Sequence, residues 1–201
     1  MNRTMQPEIS IEALIAGDRA EFARLVDAYS SPIYRLGLRM LGNPQDAEDV
    51  LQNTFLNALT HLSGFEGRSS VATWLYRIAA NEALMLIRKK KPEVSLEGSD
   101  HANENETVEH LKPTQFADWS ALPEEELLST EGKKILDSTI QTLPESLRIV
   151  FVLRDMEGLS IKETADALDL METNIKTRLL RARMFLRERL SAYYTEHLQE
   201  E

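Results

Sequence analysis

The residues best equipped for chemistry lie at 171–190, METNIKTRLLRARMFLRERL, where six cations (Lys176, Arg178, Arg181, Arg183, Arg187, Arg189) face two anions (Glu172, Glu188). At 100° per residue, Ile175, Leu179, Ala182 and Leu186 fall on one face, which must pack inward. Thr173, Lys176, Thr177, Leu180 and Arg181 fall opposite. Asn174 and Arg178 line one edge, Arg183 and Arg187 the other. Amides, hydroxyls and cations on one helix surface suit the DNA major groove, where they reach base edges while flanking cations touch phosphates. Phosphate contacts on this scale make binding strongly salt-dependent. A charge run alone also fits a solvated amphipathic helix. The preceding elements favour the DNA reading. In "SIKE" at 160–163 Ser160 and Glu163 form a capping box, "IKETADAL" follows as a short helix, and "DLM" at 169–171 leaves a tight turn, together a helix-turn-helix.

A second constellation lies on a predicted helix over about 71–90. Trp74, Arg77, Asn81 and Arg88 share one face, and Leu75, Ile78, Ala79 and Leu86 another. An aromatic, a guanidinium and an amide beside the Gly/Ser loop "SGFEGRSS" (63–70) suit single-stranded nucleic acid, with bases stacking on the ring and cations following the backbone. A core tryptophan with a solvated basic end fits the same residues. Enzymatic chemistry has no comparable support. The four histidines (61, 101, 110, 197) are scattered, and no nucleophile–base pair, phosphate-cradling Gly loop or metal-ligand spacing is present. The expectation is no catalytic residues, no cofactor and no metal.

The elements that must hold these faces are helical. Asp18 can cap a helix carrying Phe22, Leu25, Val26 and Tyr29. Pro32 suits the first turn of a separate helix ending near Gly42. Asn43-Pro44 starts the next, predicted to bury Val50, Leu51, Phe55, Leu59 and Leu62. Pro144 opens a helix burying Leu147, Val150, Phe151 and Leu153. The fold class expected is all-α: two helical domains, 1–92 and 132–201, joined by a linker at 93–131 that reads as flexible from its composition. Its one apolar island is "FADWSAL" (116–122).

Charge follows this division. The 201 residues carry a formal net charge of −10. Residues 93–131 hold eleven acids and one lysine, enough to account for all of it, whereas 68–91 are net +5 and 171–190 net +4. The order basic, acidic, basic says more than the total. Cysteine is absent, which excludes disulfides and thiolate sites and fits a reducing compartment. No segment approaches the ~20 apolar residues of a membrane span, and the N-terminus lacks a secretory core. The expectation is a cytoplasmic protein with no membrane insertion of its own.

Three stretches, "NPQDAEDVLQNTFLNAL", "FEGRSSVATWLYRIAANEALMLIRKKK" and "LPESLRIVFVLRDMEGLSIKETADALDL…NIKTRLLRARMFLRERL", resemble in order and spacing the bacterial extracytoplasmic-function (ECF) RNA polymerase sigma factors. The resemblance covers about three-quarters of the chain. It implies that residues 1–92 (sigma region 2) bind the clamp of the large subunit of core RNA polymerase through Asp46, Glu48, Asp49, Gln52 and Asn53. It further implies melting of the −10 element by Ser63, Gly64, Phe65, Arg68, Ser69, Ser70, Trp74, Arg77 and Asn81. Residues 132–201 (sigma region 4) would read the −35 element through Asn174, Lys176, Thr177, Arg178 and Arg181. The acidic linker would thread the RNA exit path, and an anti-sigma factor would hold the protein inactive. The chain departs from the family pattern at Asn53, where an acid is usual, at Met85, where Asp is common, and at the start of the recognition helix (Met171, Thr173, Asn174), so no −35 sequence can be carried over. The alternative is a stand-alone helix-turn-helix transcriptional regulator, which would need neither the clamp residues nor the melting face. A helical interaction module leaves the two separated basic faces unexplained.

Overall fold

The computed structural model describes residues 9–90 and 130–197, with side chains over 9–90 and 134–191. Most of the expected linker at 93–131, including the 116–122 island, lies outside the described residues; its last two positions already belong to a helix. Among the described residues all regular structure is helical. The N-terminal half comprises α1 (Ile11–Ile15), α2 (Arg19–Leu41), α3 (Pro44–His61), a 3₁₀ turn (Leu62–Gly64) and α4 (Val71–Lys90). The C-terminal half comprises α5 (Thr130–Gln141), α6 (Glu145–Phe151), a π turn (Val152–Met156), α7 (Ile161–Leu168) and α8 (Glu172–His197).

The start signals act through their side chains. Asp18 accepts from the Ala20 N–H at 2.8 Å, and Asn43 from the Gln45 N–H at 2.8 Å. Ser160 and Glu163 close their reciprocal box at 3.1 and 2.8 Å. Each satisfies amides that a helix start would leave open. Gly42 ends α2 at φ 69°, a left-handed conformation that a side chain resists.

Two local expectations are corrected. Pro32 does not start a helix; α2 runs through it. Tyr29, Ile33 and Leu36 form a buried stripe on both sides of the proline. Burying each is worth about 1.5–3 kcal/mol, so the stripe outweighs the roughly 3 kcal/mol of an interior proline. Leu59 is not buried but 57% exposed, with Leu56 beside it at 62%. The inward face of α3 is instead completed by small residues, Ala47, Thr54 and Ala58, which allow close approach: a Cβ added at Gly37 of α2 would stand 3.0 Å from the Ala47 Cα.

The two halves also contact each other more closely than a tethered pair requires. One buried apolar cluster runs from Leu36, Met40 and Leu75 to Ile140, Leu143, Leu153 and Leu186. Polar contacts seal the joint at the end of α2. Arg148 donates to the Met40 carbonyl at 2.6 Å, and the Gln141 amide donates to the carbonyls of Leu38 (3.2 Å) and Arg39. The Leu38 carbonyl also accepts from the capping Gly42 N–H at 2.8 Å, those of Arg39 and Met40 belong to the last turn, whose carbonyls lack helical partners, and a cation at that negative end is favourable.

Candidate nucleic-acid interface

Helix α8 separates its faces as its sequence requires. Ile175, Leu179, Ala182 and Leu186 are buried at 0, 6, 0 and 1% exposure. Thr173, Asn174, Lys176 and Thr177 are exposed; Arg178 and Arg181 are half-buried. Leu180, 58% exposed, lies at the centre of this face, where a methyl-bearing side chain can meet a thymine methyl. Its position opposite the core stripe was legible on the helical wheel; its apolar character kept it out of the candidate set.

The turn into α8 depends on Asp169, which ends α7 at φ 54°. Outside glycine this left-handed conformation is tolerated best by Asn and Asp. It redirects the chain within three residues and presents the first turn of α8 outward. Not every cation of α8 is free for phosphate. Arg183 forms a two-point pair with Asp155 at 2.8 and 2.7 Å; the hydrogen bonds, ahead of the opposing effect of burial, hold its pKa above the ordinary arginine value. Arg189 lies over the Phe185 ring, 5.3 Å from its centroid. On the reading face itself stand Lys176, which pairs with Glu172 at 3.8 Å, Arg178 and Arg181.

In the N-terminal half, Ser70 starts α4: its Oγ accepts from the Thr73 N–H at 3.0 Å. Arg77 and Asn81 are exposed along one side, Trp74 is half-buried above them, and Met85 continues the line at 62% exposure. Phe65 is 8% exposed and supports Trp74, with ring centroids 5.1 Å apart. The loop and helix enclose an open cleft of about 240 Å³ lined by Gly64, Phe65, Glu66, Arg68, Ser69, Trp74 and Arg77. An indole, a guanidinium and an adjoining concavity can accept a base removed from the stack. Gly64 and Arg68 are exposed at the rim, Ser63 is exposed just before them in the chain, and Arg68 pairs with Glu66.

On α3, Glu48, Asp49, Gln52 and Asn53 form a continuous exposed arc, extended by Leu56 and Leu59 at i+4 and i+7 from Gln52. Those leucines were missed because their spacing also fits a core stripe. Asp46 differs from the rest of its group. It is 8% exposed and pairs with Lys90, tying the start of α3 to the end of α4.

The fold and its two faces define a helical, nucleic-acid-binding transcription factor with a C-terminal helix-turn-helix. Residues 25–93 match the family model of Sigma-70 region 2, and residues 133–186 that of Sigma-70, region 4. The chain is 36% identical to the ECF RNA polymerase sigma factor SigW of Bacillus subtilis over 180 residues, 90% of this chain and 94% of that one. It is 31% identical to the ECF RNA polymerase sigma-E factor of Haemophilus influenzae, over 94% of this chain and 98% of that one. Among solved structures it resembles CnrH, determined in complex with the cytosolic domain of CnrY (TM-score 0.64, 23% identity, 90% and 95% of the two chains). It also resembles the sigma factor RpoE of Bartonella quintana, determined with the anti-sigma factor NepR (TM-score 0.60, 20% identity, 85% and 97%). The chain belongs to the ECF sigma factors, which are non-enzymatic transcription initiation factors. No helix among the described residues is long and apolar enough to cross a membrane.

Proposed function

We propose that this sigma factor divides its task among three surfaces. The arc Glu48, Asp49, Gln52 and Asn53, with Leu56 and Leu59, docks on the clamp of core RNA polymerase. Asp46 positions that arc through Lys90 rather than touching the clamp. The acids and amides offer charge and hydrogen bonds to a basic partner, and the two leucines offer apolar area.

The cleft beside Trp74 receives a base from the −10 element, with Arg77 and Asn81 holding the adjoining strand. Unstacking a base costs a few kcal/mol, and stacking on an aromatic ring returns about 1–3 kcal/mol per base. The exposed end of α8 reads the −35 element through Asn174, Lys176, Thr177, Leu180 and Arg181, with Arg178 at the flank.

The observation that carries this reading is the placement, on one chain, of an aromatic-and-cation cleft and a helix-turn-helix reading face beside an independent acidic arc. A stand-alone regulator needs only the second. Work at the polymerase places the protein in the cytoplasm. Both structural neighbours were determined with a protein bound, one of them an anti-sigma factor, and an anti-sigma partner for this chain is the corresponding expectation.

Reconstituted transcription with core polymerase on genomic fragments tests the proposal. Promoter-dependent transcripts that require this chain are expected. Transcription unaffected by Asp49→Ala with Gln52→Ala would leave only the regulator reading.

A further inference from the structure

Two kinds of contact hold α8 in its half. The first is the apolar stripe Ile175, Leu179, Ala182 and Leu186, all buried. Apolar burial is non-directional, so the stripe decides which face turns inward but carries no directional bond. The second kind is directional. Arg183 lies two turns beyond Lys176 on the same edge of α8. Its Nε and Nη2 donate to the two carboxylate oxygens of Asp155 at 2.8 and 2.7 Å. Paired bonds from a guanidinium fork constrain angle as well as distance.

Asp155 is itself fixed. It belongs to the π turn Val152–Met156, whose Val152 and Leu153 are inaccessible. The turn is closed by the Glu157 N–H on the Val152 carbonyl at 2.9 Å and by the Leu159 N–H on the Leu153 carbonyl at 3.1 Å. Turns of this wide type recur at functional sites. The Asp155 side chain is 20% exposed and that of Arg183 47%. A pair so open to water adds little to stability; what it supplies is an angle. On a helix whose side chains reach about 5–6 Å from the axis, a rotation of about 20° moves a side-chain tip by about 2 Å. A hydrogen bond to a base edge does not survive that displacement. Arg181 and Lys176 stand about 3 and about 10 Å from Arg183 along the axis, so the pair grips the helix close to the residues that read.

We propose that Asp155 is a positioning residue for −35 recognition: through Arg183 it sets the rotation of α8, and with it the register of Asn174, Lys176, Thr177 and Arg181 against the base edges. The proposal rests on the assignment of that face to the −35 element. Neither member of the pair touches DNA, because Arg183 is committed to the carboxylate.

The test uses holoenzyme reconstituted from core polymerase and the full chain. Its affinity is measured for the promoter duplex recovered in the transcription assay and for the same duplex with the −35 element scrambled. The ratio of the two affinities is the readout, since a general change of charge cancels in it. Arg183→Met removes the fork and keeps most of the stem. It should lower the ratio about tenfold, the size of one lost base contact, by weakening the intact duplex alone. The salt slope on the scrambled duplex should stay as in the parent, whereas loss of a phosphate contact would make it shallower by about 0.9. Arg183→Lys keeps the charge but not the two-point fork, and should behave like Arg183→Met. Asp155→Asn should also lower the ratio, and adding it to Arg183→Met should lower it no further, as coupled partners do. Arg189→Met removes a cation of the same helix outside the pair and should leave the ratio unchanged.

A ratio that Arg183→Lys leaves at the parent value, or equal weakening of both duplexes by Arg183→Met, would overturn the positioning role while leaving the −35 reading in place. A parent ratio near one would instead remove the −35 reading itself, and the proposal with it. If Arg183→Met loses its helical circular dichroism, Arg183→Lys and Asp155→Asn carry the test.

Discussion

The two faces proposed for nucleic acid are built from similar residues but presented differently. On α8 the face is open, with Thr173, Asn174, Lys176 and Thr177 in solvent. On α4 Trp74 rests on Phe65 and Arg77 is held by the Asp166 carbonyl. A helix that reads duplex DNA from outside needs only side chains standing clear of a packed stripe. A surface that traps a base needs a supported ring and a cleft, which must be assembled from loop and helix together. The first kind of site is specified by periodicity; the second depends on what folds against it.

The sharpest way to break the comparison is to remove the support under each face. Leu75→Ala beneath the −10 face and Leu186→Ala beneath α8, both nearly inaccessible in the fold, should each lower stability by about 2–5 kcal/mol in denaturant titration. If α8 were a solvated helix resting on nothing, Leu186→Ala would cost little.

Smaller but more selective is the loss of a single reading contact. Trp74→Ala should weaken −10 strand binding by about 1–3 kcal/mol in fluorescence titration against forked promoter DNA, measured where the variant keeps its helical circular dichroism. Arg181→Ala should have a similar effect on −35 duplex binding alone. The salt dependence of that duplex binding sharpens the division of α8. Phosphate contacts from Lys176, Arg178 and Arg181 alone give a slope of log affinity against log salt near about −3, whereas contacts from all six cations of α8 would give about −5.

Glu157 offers a pH test of the joint. It faces Arg35 and Arg39 of α2 and Tyr76 of α4, and burial holds its pKa above the ordinary glutamate value. A carboxyl whose folded pKa is raised contributes stability that is fully present below its unfolded pKa and is lost as pH rises through the folded one. Glu157→Gln should therefore be at least as stable as the parent at neutral pH. Its advantage should shrink as the pH falls into the carboxylate range, in thermal melts across that window.

The smallest effect belongs to the turn. Asp169→Gly relieves the left-handed strain at φ 54° and should raise stability by up to about 1 kcal/mol. It should leave −35 affinity unchanged, because the turn already has the required geometry.

Much of the fold was legible because its signals are local. Asp18, Asn43 and the Ser160–Glu163 box cap helices through side chains two or three residues from the amides they serve. The stripe Ile175, Leu179, Ala182 and Leu186 is buried as its spacing requires. Where local rules compete, the outcome was not legible. Pro32 is both a start signal and a tolerated interruption, and only burial of Tyr29, Ile33 and Leu36 around it decided between them. Leu56 and Leu59 satisfy a core spacing and an exposed docking arc equally well. Asp46 and Glu48 look alike in sequence, yet one meets Lys90 and the other solvent.

By itself, then, the sequence determined the helices, their caps, the helix-turn-helix and the division of charge, because each depends on residues within a few positions of one another. Only the tertiary structure decided that Glu157 finds Arg35, Arg39 and Tyr76, that Arg148 closes the end of α2, and that Arg77 is held by Asp166. Those pairings join residues about 80 to 120 positions apart, and no local propensity encodes which distant carbonyl or carboxylate a buried cation will meet; that follows from how two apolar faces pack and which polar groups must then be satisfied.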